Sequence, residues 1–199
     1  KGTTVANALL TPGGTVPGGQ NSFTVAAWIR PASNSPKTAY ILVNRTVSGG
    51  KPGSWTDAQW NGWNMRFIEN GTMLSVDYQN GWRNHVADAQ SLRGAIPATA
   101  YNDGNWHHVA LTREVTEETP GTSTITRFFS KLYFDGVQVA EKELTVNQSV
   151  ATDARLMIGG QDSGNSFSGD YDEVKMWNVS LTDEEILREY EAKGAETVV

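Results

Sequence analysis

The chain has 199 residues, with 16 lysines and arginines against 22 acidic residues, for a formal net charge of −6. That balance, without a basic stripe, excludes a nucleic-acid partner, whose phosphates require a basic face. Cysteine is absent, which excludes a disulfide framework and thiolate chemistry, and no apolar run approaches the ~20 residues of a membrane span.

The length suits a single all-β domain over residues 1–199. The sequence opens on Lys1 with neither an initiator methionine nor a signal-peptide pattern. It therefore reads as a mature or excised piece, joined to other domains of the same polypeptide.

Turn signals recur at short intervals with brief apolar runs between them, the pattern of many strands in a sandwich or barrel. In Phe23–Arg30, Phe23, Val25, Ala27 and Ile29 alternate on one face. Ala26 and Trp28 make the other face partly apolar, which predicts a central strand stopped by Pro31. Tyr40–Val43 is a second strand, and 44–61 reads as a long loop carrying Trp55 and Trp60. Asn70-Gly71 signals a type I′ turn. Centring a hairpin there pairs Phe67 with Leu74, Met65 with Val76 and Trp63 with Tyr78 on an apolar face. Arg66 then opposes Ser75, and Asn64 opposes Asp77, on a polar face. Trp82 follows Asn80-Gly81 at a strand exit.

Asn105–Thr112 predicts another strand, and 114–124 a solvated, acidic hairpin tip. Asp135-Gly136 sets a second hairpin, pairing Phe134 with Val137 and Leu132 with Val139. Leu156–Ile158 is a strand closed by Gly159-Gly160, and Tyr171–Trp177 is the last. Thr182-Asp183-Glu184-Glu185 is a capping box. It opens one helix with Ile186, Leu187 and Tyr190 as its apolar stripe, ended by Lys193-Gly194.

Five segments occur in a telling order: Phe23–Ile29, Trp106–Ala110, Leu132–Val137, Ile158–Gly160, and Asp172–Trp177 running into Leu181–Ile186. Over about residues 22–190 they resemble the laminin-G-like jelly roll of the concanavalin A-like lectin/glucanase superfamily. The resemblance implies an all-β fold: two antiparallel sheets in a jelly-roll sandwich, with one short C-terminal helix. It further implies a concave face or loop rim that binds carbohydrate, in a secreted, periplasmic or cell-surface bacterial protein that handles polysaccharides.

Catalysis on a glycan needs two carboxyl groups astride the bond. The glucanase branch sets its acids as Glu-x-Asp-x-Glu on one strand, and this sequence lacks that pattern. Asp170 and Asp172 share a face, but Val174 stands where the third acid belongs. His107 and His108 are adjacent on a strand, point to opposite faces and cannot chelate one ion. Relatives of the fold hold a structural calcium ion at the sandwich edge. That resemblance makes Asp172, with Asp162 and Asp170, the candidate ligands, in keeping with the oxygen donors that calcium prefers.

The seven tryptophans carry the functional reading. Trp63, Trp106 and Trp177 fall within strands and are assigned to the core. Trp55, Trp60 and Trp82 lie outside the alternating pattern, on segments that also hold Asp57, Arg83 and Asn84. Sugar rings stack their C–H faces on indoles, and their hydroxyls pair with such polar groups. The sequence therefore predicts a non-catalytic carbohydrate-binding or adhesion module with a glycan or polysaccharide partner. The alternatives are a structural or protein-binding laminin-G-like domain and, third, a glycoside hydrolase.

Overall fold

The structure, a computed structural model, describes residues 3–5, 22–48, 59–82, 91–144, 156–160 and 165–195. These form eleven strands and a helix: β1 (Thr3–Val5), β2 (Phe23–Pro31), β3 (Ala39–Ser48), β4 (Gln59–Ile68), β5 (Met73–Trp82), β6 (Ser91–Ala95), β7 (His107–Glu118), β8 (Ile125–Phe134), β9 (Val137–Leu144), β10 (Leu156–Ile158), β11 (Gly169–Trp177) and α1 (Asp183–Ala195). Six strands make one sheet in the order β1-β10-β3-β4-β5-β6, and five make the other in the order β11-β2-β7-β8-β9. All the named pairings are antiparallel.

The sandwich closes because each sheet has one strictly alternating apolar face. Phe23, Val25, Ala27 and Ile29 of β2 are all fully buried. They face Trp63, Met65 and Phe67 of β4 and Leu74, Val76 and Tyr78 of β5 in one core. Phe23 and Trp63 stack across the two sheets at 5.9 Å. The Tyr78 hydroxyl meets the Ser130 hydroxyl at 2.9 Å, so the polar tip of a buried ring is satisfied from the opposite sheet.

The first hairpin has the expected register, with Trp63 opposite Tyr78, Met65 opposite Val76 and Phe67 opposite Leu74. Its turn is type I′: Asn70 sits at φ 59°, ψ 30° and Gly71 at φ 82°, and the Thr72 amide donates to the Glu69 carbonyl at 3.3 Å. The second hairpin turns in the same way, with Asp135 at φ 50° and Gly136 at φ 76°. Phe134 pairs with Val137 as expected, but Leu132 pairs with Ala140 instead of Val139. The cause is a β-bulge, an extra residue that re-aims one side chain. Packing shows where Val139 goes: a Cβ added at Gly94 of β6 would come within 2.5 Å of its Cγ2. The missing side chain at Gly94 thus lets the edges of the two sheets meet.

Several boundaries differ from expectation. Strand β3 runs on to Ser48 and β4 starts at Gln59, so Trp60 belongs to a strand instead of a long loop. Residues Glu114–Glu118 continue β7, leaving 119–124 as the hairpin tip. The helix continues through Gly194 to Ala195. Leu187 is 42% exposed, so the buried part of its stripe is Ile186 and the half-buried Tyr190. Trp63 is core as expected, while Trp106 is only half-buried, precedes β7, and lies 5.1 Å from the Arg30 guanidinium.

Candidate functional site

The two outer faces of the sandwich differ, and that difference locates the site. On the five-stranded sheet the outer face carries Ala26, Trp28, His108, Ala110 and Tyr133, all buried. Helix α1 covers it. Ile186 packs on Ala26, Ala110 and Tyr133, and Tyr190 stacks on Trp28 at 5.5 Å. Asp183 accepts hydrogen bonds from Lys131 at 2.8 Å and from the Tyr133 hydroxyl at 2.7 Å. This face is spent on packing.

The outer face of the six-stranded sheet is polar. Register fixes its rows, because directly opposed residues point to the same side. One row runs Tyr40, Arg66, Ser75, Arg93 across β3, β4, β5 and β6. The next runs Val43, Asn64, Asp77, Ser91, and a third holds Arg45, Gly62 and Gln79. Glycine is required at 62: φ is +128°, and an added Cβ would lie 2.0 Å from the Asn44 carbonyl oxygen.

These side chains engage one another. Arg66 pairs with Asp77 at 2.8 Å, Ser91 donates to Asp77 at 2.8 Å, and Arg45 donates to Gln79 at 2.7 Å. Two guanidiniums lie near the Tyr40 ring, Arg45 at 5.8 Å and Arg66 at 5.5 Å from its centroid. Burial lowers the Arg45 pKa to about 10, against the raising effect of Tyr40; Arg45 therefore stays charged near neutrality.

Burial is graded across this face. Arg45, Asn64, Ser75 and Asp77 form a buried floor, while Tyr40, Arg66, Gln79 and Ser91 are half-buried and Arg93 is exposed. Both polar atoms of the Asn64 amide, the Ser75 hydroxyl and Arg66 Nε have no hydrogen-bond partner among the described residues. A buried polar group left unpaired costs about 1–3 kcal/mol. Among the described residues, three neighbours on one face, Asn64, Arg66 and Ser75, carry such groups.

The expected site residues fall in three places. Trp55, Asp57, Arg83, Asn84 and Asp162 lie outside the described residues. Trp60 pairs with Gly81 and Trp82 with Gln59, so the two positions belong to opposite faces of the β4–β5 ladder, and position 60 shares its face with Asn64 and Arg66. Asp170 and Asp172 lie on β11, opposite Arg30 and Trp28. Asp170 is held by Arg30 at 2.6 Å, and Asp172 Oδ1 accepts the Glu173 amide at 2.9 Å, where a bulge interrupts β11. Among the described residues no group of three or more histidine or acidic side chains is placed to hold a metal ion. Both Arg30 contacts to Asp170 fall on Oδ2.

Sequence reasoning treated Asn64, Arg66, Ser75 and Asp77 only as a solvent face. It did not single out Tyr40, Arg45, Gln79 or Arg93. The signal lay in alternation: a polar set at every second position of two paired strands, with glutamine, serine and asparagine among its charges.

An antiparallel two-sheet sandwich of this order, with one short C-terminal helix, is a concanavalin A-like fold. The chain belongs to the concanavalin A-like lectin/glucanases superfamily: its laminin G model matches residues 2–187. No curated protein matches. Among solved structures, the botulinum neurotoxin serotype D binding domain is similar at 16% identity and a TM-score of 0.55, over 90% of this chain and 37% of that one. The serotype C1 binding domain is similar at 15% and 0.53, over 86% and 36%. A "putative carbohydrate binding protein" from Bacteroides ovatus is similar at 19% and 0.52, over 94% and 43%. These likenesses show the fold, and the chain spans less than half the length of each of the three. No helix among the described residues is long and apolar enough to cross a membrane.

Proposed function

We propose that the chain is a non-catalytic carbohydrate-binding or adhesion module of a larger secreted, periplasmic or cell-surface bacterial protein, and that it takes its glycan on the outer face of the six-stranded sheet. The observation that carries this reading is the polar floor of that face, whose Asn64 amide and Ser75 hydroxyl have no hydrogen-bond partner among the described residues. Ordered water or ligand hydroxyls complete such groups, and a site built to pair hydroxyls penalises their loss. The similarity to a protein described as carbohydrate binding supports the same reading. Tyr40 supplies a ring for stacking, and Trp60 shares its face by register. Trp55, Asp57, Arg83 and Asn84 are proposed as further glycan contacts, whereas register puts position 82 on the other face of the β4–β5 ladder.

A shallow contact of this kind gives affinities of roughly micromolar to millimolar. The test is calorimetry with soluble oligosaccharides on wild type, Ser75→Ala and Asn64→Leu. The expected outcome is weaker binding with an unchanged or higher melting temperature, because each substitution removes an unpaired buried polar group. Tryptophan-to-alanine variants at 55 and 60 then apportion the aromatic contacts. Equal binding by every variant of the face removes it as the site, and a glycan array without a hit favours a structural or protein-binding domain.

A further inference from the structure

We infer that the glycan taken by this face is acidic, and that Arg66 and Arg93 receive a uronate carboxylate beside the Tyr40 ring. The inference rests on the reading of the face as a glycan site and adds the chemistry of the sugar. Its first ground is charge. The rows described carry Arg45, Arg66 and Arg93 against the single carboxylate of Asp77. The whole chain is at −6, so the cations are gathered on this face against the average charge of the molecule.

Clustering them is unfavourable in itself. Arg66 is among the groups that lower the Arg45 pKa, and both guanidiniums crowd one tyrosine ring. A neutral sugar gains nothing from that repulsion, whereas an anion relieves it. Focused positive potential also raises the local concentration of an anionic ligand.

Geometry is the second ground. Arg66 and Arg93 stand on one row with Ser75 between them. Two strand spacings separate their backbones by about 10 Å, a span that a sugar unit and two arginine side chains fill. Arg93 is exposed and Arg66 half-buried, so both are within reach of a ligand, while Asp77 holds one edge of the Arg66 guanidinium at 2.8 Å. A planar guanidinium matches a planar carboxylate with two parallel hydrogen bonds, which a lysine or an amide does not reproduce. Tyr40 closes the row where the pyranose ring stacks.

The experiment measures binding to matched pairs: oligogalacturonate, alginate and hyaluronan oligosaccharides, each beside its carboxyl-reduced counterpart, with a sulfated oligosaccharide as a further arm. At least one uronate is expected to bind, with its reduced counterpart about tenfold weaker or worse and its affinity falling as salt rises. Arg93→Ala, at an exposed position, should lose about tenfold in uronate affinity without moving the melting temperature, and Arg93→Lys should recover only part of it. Arg188→Ala makes the same charge change on the exposed face of α1 and should leave affinity unaltered. Reduced oligosaccharides binding as tightly as the acids overturn the inference and leave the glycan site standing. Sulfated sugar binding in place of uronate overturns the carboxylate. No binding by any member, acidic or neutral, overturns both.

Discussion

At the scale of the residue, two adjacent histidines respond to pH in opposite senses because alternation sends them to different environments. His108 is buried beneath α1 beside Trp28 and Tyr190, and burial lowers its pKa to about 4, with Asp135 and Glu189 opposing the shift. An unfolded histidine protonates near 6.5. Between those values the unfolded chain holds more protons, so stability rises with pH across the window and is lost as pH falls from 6.5 towards 4. The full loss is on the order of 3 kcal/mol. His107 bridges two carboxylates, Asp135 at 2.8 Å and Asp103 at 3.2 Å. Burial works against its charge, yet these bonds hold its pKa above the ordinary value. Its contribution is complete below 6.5 and is lost as pH rises through the folded pKa. Denaturant melts from pH 4 to 8 should show His108→Gln flattening the acid limb and His107→Gln the alkaline one. An unaltered acid limb in His108→Gln would refute the assignment.

Asp170 poses a second question at this scale. Its pairing with Arg30 is exposed on both sides, and such pairs contribute at most about 1 kcal/mol. Calcium at Asp162, Asp170 and Asp172 is proposed on sequence grounds, and an ion bound only by the folded chain raises its melting temperature. The expected rise with calcium is larger in Arg30→Ala, which frees Asp170. Identical melting in calcium and in chelator, for both proteins, removes the ion.

At the scale of the element, the turns and caps are local devices whose energies follow from their geometry. Thr182 caps α1: its hydroxyl accepts the Glu185 amide at 3.3 Å, and the Thr182 amide donates back to the Glu185 carboxylate at 2.8 Å. Thr182→Ala should cost about 1 kcal/mol in chemical denaturation. Since α1 covers Trp28 and His108, the loss should also raise amide exchange there. The sheet edge is less forgiving. Gly94→Ala drives a methyl to 2.5 Å from Val139 Cγ2, and overpacking of this kind costs about 1–3 kcal/mol. A Gly94→Ala, Val139→Ala double variant should recover part of that, and strict additivity would show that the two residues do not meet.

At the scale of the molecule, one sheet is buried on its inner face and, under α1, over part of its outer face, and the other on one face with a polar floor. The shared core is correspondingly sensitive. Trp63 is fully buried and stacks on Phe23 of the opposite sheet, so Trp63→Ala should lose about 3–5 kcal/mol. A cost below 1 kcal/mol would contradict the packing. Substitutions at Ser75 and Asn64 are expected to do the reverse, trading ligand affinity for stability, which would separate the face proposed to bind from the face that holds the fold together.

The sequence by itself determined whatever is local or strictly periodic. Period-two alternation set the core face of β2, two left-handed turn signals set the first hairpin's register and the turn of the second, and a four-residue box set the start of α1, because each depends on backbone sterics within a few residues. Only the tertiary structure decided what depends on a partner distant in the chain. The bulge at Val139 answers to Gly94 of the other sheet, the length of β3 answers to β4, and Trp28 and His108 are buried because a helix some eighty to one hundred and sixty residues on lies over them. The face proposed to bind is of the same kind. Tyr40, Arg66, Ser75 and Arg93 are scattered along the sequence and become a row only when four strands align. No periodicity within one segment reveals that row, because the charge and hydrogen-bonding capacity of the site are properties of the assembled sheet.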